Sequence, residues 1–312
     1  MLDVRRLRLL YDLSRLGTIA AVAQAHTYTP SAVSQQLAAL EREAGVALLE
    51  HTGRRVSLTA AGRVVAQHAE AVLAALEETS AALEAMTTEP AGQLRIGAFP
   101  TAVRTLLPAT LVSLGRRHPR LELEVTELDP LAVPAALHER RLDIGLLNDY
   151  DVVPIEPEPA LDTVPLLDET VFLAVPDRTQ IIKLIKHSAA EPTDPSDTDP
   201  LRAVRDADWI LAGPDTLCHT MTLHVCRIAG FTPHARHHAD DFATVLALVA
   251  ADQGVSLVPQ LAAAQPPAGV RLIPIATRRR TRIAYRRGTA AHPAITAFVA
   301  AIREAAAALS GP

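Results

Sequence analysis

Two cysteines in 312 residues are too few for a disulfide framework, and such a chain fits a reducing compartment. No run of about 18 or more uninterrupted apolar residues exists, so nothing is expected to span a bilayer. Arg5, Arg6 and Arg8 open the chain, but the apolar residues behind them are broken by Asp12, Ser14 and Arg15, which does not make a signal peptide. A cytoplasmic location is expected. Enzyme signatures are missing too: there is no G-x-S-x-G elbow, no G-x-x-x-x-G-K-[ST] loop and no G-x-G-x-x-G turn. His219, His224, His234, His237 and His238 crowd around Cys218 and Cys226, yet neither paired-cysteine spacing nor His-Glu-x-x-His is present to hold a metal. These read as core cysteines and surface histidines, with no metal or cofactor expected.

What is present is ordinary globular material, 49% hydrophobic and 21% charged, long enough for two or three folding units. Its charge is uneven. Residues 1–59 hold seven arginines against five carboxylates, a balance of +2, while the whole chain carries −5. A mildly basic end on an acidic body suits contact with a polyanion at that end only.

Within that end, Gly17 to Leu40 reads as helix, tight turn, helix. Thr18 can cap the first helix, which Ile19, Ala20, Ala23 and Ala25 keep slim; the chain turns through His26, Thr27 and Tyr28; Thr29-Pro30 supplies a cap and a pre-set first helical residue. On the second helix Val33, Leu37 and Leu40 mark a buried face. The opposite face carries Ser31, Ser34, Gln35 and Arg42, with Ala32 and Gln36 beside them, residues that suit a DNA major groove. A surface helix of an alanine-rich bundle would look the same at this point. Val46 to Leu49, a Gly53 turn with Arg54 and Arg55, and an alternating segment to Thr59 then add a wing.

With the wing in place the sequence resembles the LysR-type transcriptional regulators. The resemblance is carried by Leu7 to Leu10, Ala20 to Ala23, Thr29 to Leu37, Leu40-Glu41, Gly45-Val46, Leu48-Leu49, Thr52 to Arg55 and Leu58 to Gly62, in order and without an indel. Ile19 stands where the family often has an aromatic residue, and Gln35 where a basic one is frequent. The resemblance implies a DNA-binding site of Thr29, Ser31, Ala32, Ser34, Gln35, Gln36, Arg54 and Arg55. It also implies a dimer or tetramer on an inverted repeat of double-stranded DNA, contact with RNA polymerase in an activator, and no enzymatic activity.

From Thr59 an Ala-, Glu- and Leu-rich run places Val65, Ala69, Val72, Leu76, Thr79, Leu83 and Met86 at alternating spacings of four and three, a coiled-coil seam. A helix packed on its own domain is the alternative; the family uses this helix for dimerisation. Thr87 to Gly92 forms a hinge. Strands then alternate with helices: strands at Leu94–Ala98, Leu121–Val125, Asp143–Leu147, Val171–Val175, Trp209–Ala212 and Val255–Val258, and helices at Pro108–Arg117, Pro134–Glu139, Leu217–Ala229 and Phe242–Ala251. The expected fold is therefore α/β with an all-α/winged-helix head. It has an N-terminal winged helix-turn-helix (1–59), a long linker helix and hinge (60–89), and an effector domain (90–312). By resemblance the effector domain is a two-lobed, periplasmic-binding-protein-like α/β unit, with lobe I about 93–163 and 270–300 and lobe II about 164–269.

Open α/β sheets bind ligands beyond the carboxyl ends of their strands. That rule selects Phe99 to Val103, Glu127-Leu128-Asp129 and Gly213 to Thr216, with Thr101, Ala102, Leu128, Asp129, Gly213 and Thr216 as candidate effector-binding residues. Thr101, at the head of a helical segment, would suit the carboxylate of a small-molecule effector, or act simply as a cap. A peroxide-sensing branch of the family uses two cysteines in this lobe. Here Cys218 and Cys226 sit eight apart on one helix, about 12 Å of rise, and cannot join without unfolding it. Arg278, Arg279, Arg280, Arg282, Arg286 and Arg287 read as a solvated strand with its flanks. Residues 177–208 depart from the family, with Ile181 to Lys186 followed by an acidic, proline-rich stretch expected to be a mobile loop. Two other classes remain open, an enzyme with a dispersed site and a binding protein whose head makes only protein contacts. A strong fall of DNA affinity with salt is required by neither.

Overall fold

The computed structural model describes residues 1–52, 55–86, 89–153, 155–177 and 199–309, with the backbone alone at 51, 52 and 55. The head consists of α1 (Val4–Leu16), α2 (Ile19–Ala25), α3 (Pro30–Ala44), β1 (Leu49–Thr52) and β2 (Arg55–Leu58). Its boundaries follow from local chemistry. Asp3, Thr18 and Thr29 each accept backbone N–H groups at a helix start, and Gly17 and Gly45 end α1 and α3 in the left-handed region. Leu7, Leu10, Val22, Val33, Leu37, Leu40 and Leu48 fill the core between the helices. The hairpin pairs Leu49 with Leu58.

Helix α4 (Ala60–Ala85) starts at Thr59, whose hydroxyl accepts from the Gly62 N–H. A Cβ at Gly62 would lie 2.1 Å from the Leu48 carbonyl oxygen, so only glycine lets the helix approach the wing this closely. The seam divides along its length. Ala69 is buried and Val65 partly buried against the head, which turns them inward. Val72, Leu76, Leu83 and Met86 are exposed, the last two at 63% and 82%.

The body is built from β3 (Gly92–Ala98), α5 (Pro100–Thr105), α6 (Leu107–Arg117), β4 (Leu121–Glu127), α7 (Val133–His138), β5 (Ile144–Tyr150), β6 (Leu161–Pro176), β7 (Asp208–Leu211), α8 (Leu217–Ile228), β8 (His234–His238), α9 (Phe242–Ala250), β9 (Ser256–Pro259), α10 (Gln260–Ala263), β10 (Val270–Arg286) and α11 (Pro293–Leu309). A six-stranded mixed sheet has the order β4-β3-β5-β10-β6-β9, and a parallel pair β7-β8 joins through the Trp209–Val255 bridge. Lobe I packs Ile96, Phe99, Leu107, Ile144, Ile283 and Phe298 around one core; lobe II packs Val171, Leu173, Trp209, Val225 and Leu257 around another.

Strands β6 and β10 are long because they serve both lobes. Residues Val270–Pro274 pair with Pro176–Phe172, the ladder shifts between Pro274 and Arg278, and Arg278–Arg286 then pair with Thr170–Leu161. The lobe limits expected at 163/164 and 269/270 therefore move. Residues 164–170 belong with lobe I and 270–274 with lobe II, because alternation runs straight through the crossing without a turn signal. Strand β8 was not expected either: its histidines are mostly exposed, so no alternation betrays it. The 178–198 part of the segment that departs from the family lies outside the described residues, as do Thr87 and Thr88 of the hinge. Among the described residues, no helix is long and apolar enough to cross a membrane.

Candidate DNA-binding face and effector cleft

The buried stripe Val33, Leu37 and Leu40 pins α3 to the head, which leaves Ser31, Ser34, Gln35 and Gln36 exposed on its other sides. Thr29 is committed to the cap, with its Oγ1 accepting from the Ala32 N–H at 3.2 Å. Ser34 donates to the Pro30 carbonyl at 3.0 Å, which leaves its lone pairs outward as acceptors. Gln36 is held on the α1 side, accepting from Arg6 Nε at 2.9 Å, and Arg6 also pairs with Glu43. Arg54 and the side chain of Arg55 lie outside the described residues.

A second site lies where the lobes face one another. A cavity of about 300 Å³ is lined by Thr101, Leu128, Asp129 and Thr216, together with Phe99, Asn148, Cys218, Asp240, Phe242 and Arg279. Two expected residues do not line it. Ala102 is fully buried in the lobe I core, and Gly213 stands behind the wall, its N–H donating to Asp240 Oδ1 at 2.7 Å. Proximity in sequence to a strand end placed them near the cleft; side-chain direction decided the rest.

The arginine run needs correction at two positions, Arg279 and Arg286, the latter with a side chain only 13% exposed that donates to the Leu137 and Leu142 carbonyls. Strand β10 lies between β5 and β6, so its alternate residues Thr277, Arg279, Thr281 and Ile283 point into the protein. Arg279 is only 1% exposed. Its Nε donates to Glu169 Oε2 at 2.8 Å and its Nη2 to Glu169 Oε1 at 3.0 Å. Its guanidinium sits 5.0 Å from the centre of the Phe99 ring and reaches the Thr101 hydroxyl at 3.4 Å. Glu169 Oε1 also accepts from the Leu261 N–H at 2.8 Å. The pair is satisfied within itself, as a buried pair must be. Arg278, Arg280 and Arg287 are exposed as expected.

Cys218 packs at the edge of the lobe II core and also lines the cleft, with its Sγ 3.0 Å from the Tyr150 hydroxyl. Burial pushes its thiol up, and the Tyr150 hydrogen bond only partly offsets this. Cys226 is a core residue whose thiol burial raises to about 12. Both favour the thiol, the unreactive form. Arg279, Asn148 and Asp240 were missed as cleft residues; the inward phase of β10 was the available signal for the first, and the other two left none.

A basic helix-turn-helix with a wing, a linker helix and two α/β lobes closing on a cavity define a DNA-binding regulator with a ligand-binding body. Comparison with known proteins makes this specific. Residues 4–63 match the model for the bacterial regulatory helix-turn-helix protein, lysR family, and residues 87–307 that for the LysR substrate binding domain. The chain belongs to the LysR family of DNA-binding transcriptional regulators. It is 32% identical to a "Probable hydrogen peroxide-inducible genes activator" of Streptomyces viridosporus over 97% of this chain and 96% of that one. It is 27% identical to the uncharacterized HTH-type transcriptional regulator YcgK of Bacillus subtilis, over 86% and 83%. Among solved structures, a variant of full-length OxyR from Pseudomonas aeruginosa superposes with a TM-score of 0.59 at 22% identity, covering 97% of this chain and 98% of that one.

Proposed function

We propose that this regulator reads an inverted repeat in double-stranded DNA as a dimer or tetramer, in the cytoplasm. Ser31, Ala32, Ser34, Gln35 and Gln36 would meet bases or backbone, Thr29 would fix the helix start, and Arg54 and Arg55 would reach phosphate or minor groove. A small-molecule effector held between the lobes changes the angle between paired heads, and an activating form adds contact with RNA polymerase. No catalytic step enters this reading. The observation that carries it is the exposed Ser31-Ser34-Gln35 face on a helix whose opposite face is locked into the head.

The test is a mobility shift on the protein's own upstream region at low and higher salt, against unrelated DNA of equal length. Retention that is specific and falls with salt supports the reading. Ser34→Ala and Gln35→Ala should relax sequence preference, whereas Arg54→Ala should weaken all DNA alike. Equal loss on every sequence from all three would contradict that division.

The name carried by the Streptomyces relative and the position of Cys218 in the cleft favour a second reading, in which peroxide oxidises this thiol. The raised thiols and the helical separation from Cys226 weigh against it. Peroxide that leaves the DNA footprint unchanged would remove it.

A further inference from the structure

The charge around the cleft is one-sided once its ion pairs are assigned. Among the described residues, two arginines stand near it. Arg279 is spent on Glu169, and Arg104 of α5 pairs with Asp241 across the mouth at 3.0 Å. Three carboxylates that line the cavity, Glu127 and Asp129 from lobe I and Asp240 from lobe II, have no cationic partner among the described residues. Asp129 accepts from the Leu131 N–H and Asp240 from the Gly213 N–H, which fixes their positions and leaves the charge. A carboxylate entering here would be desolvated beside three others. That removes the ground for the carboxylate effector expected at Thr101, whose short helix α5 has only six residues.

A second, independent feature points to a ligand. Asn148 is 94% buried, lines the cavity and makes no side-chain hydrogen bond among the described residues. Its amide is not among the fully enclosed unpaired groups, so it opens on the cavity and is free to pair with what fills it. Phe99, Leu128, Leu217 and Phe242 line the remaining wall with apolar surface.

We propose that the cleft takes a small organic cation, a protonated amine or a guanidinium on an apolar body. Its charged end sits between Asp129 and Asp240 and its polar substituent meets Asn148. The inference rests on the cleft being the effector site. The Arg104–Asp241 pair bridges the mouth, while Asp129 and Asp240 bring like charge to the cavity from opposite lobes; a cation between these two offsets their repulsion, so its binding favours the closed arrangement. The volume of about 300 Å³ is at the small end for ligand sites.

The test uses the full-length protein and two probe sets matched in size. The cations are arylalkylamines such as 2-phenylethylamine with alkylguanidines, and the anions are arylalkanoates such as 3-phenylpropanoate. Binding is read by thermal shift at low salt and then by calorimetry. The expected result is binding confined to the cations and weakened about tenfold in Asp129→Asn/Asp240→Asn. Both substitutions keep the amide-accepting oxygen, and the variant's circular dichroism and DNA binding verify its fold. Arylalkanoates binding in place of cations, or cation binding indifferent to the double variant, overturns the charge assignment and leaves an effector cleft. Binding by neither set overturns the cleft as effector site and this inference with it.

Discussion

At the residue scale the chemistry is settled by what each buried group touches. Glu169 and Arg279 are each about 1% exposed, and the carboxylate is further tied to the Leu261 N–H and, at 3.4 Å, to the Thr281 hydroxyl. Glu169→Gln would leave a guanidinium buried without its counter-charge. Unfolding by urea should show the effector domain weakened by about 3 kcal/mol, while Glu169→Leu/Arg279→Met recovers most of that. A loss as large in the double variant would mean the pair stabilises by its charges and not by mutual neutralisation. The cysteines give a second expectation. With both thiols raised by burial, native protein at pH 7.5 should be alkylated by iodoacetamide at under about a tenth of the rate of denatured protein. Rapid native labelling of Cys218 followed by mass spectrometry would reopen the redox reading. Burial of the cysteines was legible in the sequence, but that of Arg279 only in part: the strand alternation gives its phase, and an arginine among six arginines still looks solvated until the sheet order makes its strand an interior one.

At the element scale the linker helix does two jobs on two faces. Glu70, Glu77 and Glu84 recur every seven residues, and they meet Arg287, a cluster of Arg8, Arg140 and Arg286, and His292. The turn after β10 comes so near that a Cβ at Gly288 would stand 2.2 Å from the Ala74 carbonyl oxygen. Burial, and then the like charge of Arg140, hold the Arg8 and Arg286 guanidinia below their ordinary values, so the cluster depends on its carboxylate. Glu77→Gln should cost about 2 kcal/mol, an intermediate figure because Arg140 is half exposed. The other face keeps Val72, Leu76, Leu83 and Met86 exposed. Leu76→Glu/Leu83→Glu should shift sedimentation toward monomer with little change in the unfolding midpoint; unchanged association would move the interface elsewhere. The seven-residue apolar repeat was readable from the sequence, and so were the caps Thr18, Thr29 and Thr59, because each is a local signal. The inward turn of Val65 and Ala69 was not, since head and partner compete for the same kind of surface and only packing decides.

At the scale of the whole molecule the question is how the head is held to the body. The family fold was legible because short motifs lie in order along the head and strands alternate with helices behind it; the lobe crossing and the head-to-body contacts were not, since they join residues far apart in sequence with no local mark. One such contact sets a pH dependence. Arg15 of α1 pairs with Glu158, and His138 at the end of α7 lies 3.5 Å from the same carboxylate. Burial is the largest influence on His138 and lowers its pKa; Arg15 lowers it further, and Glu158 only partly opposes them. The folded state therefore holds this imidazole neutral at pH values where the unfolded chain already takes up a proton. Stability from this group is full above the unfolded value of about 6.5. It falls as the pH drops through that value, by up to about 1.4 kcal/mol per pH unit, and levels off below the folded one. Measured against His138→Gln to cancel every other titration, the stability of the native sequence should decline between pH 7 and pH 5.5. A difference that stays flat or grows on acidification would mean that the Glu158 attraction outweighs burial, and that Arg15 and a charged histidine share the one carboxylate at this head-to-body contact.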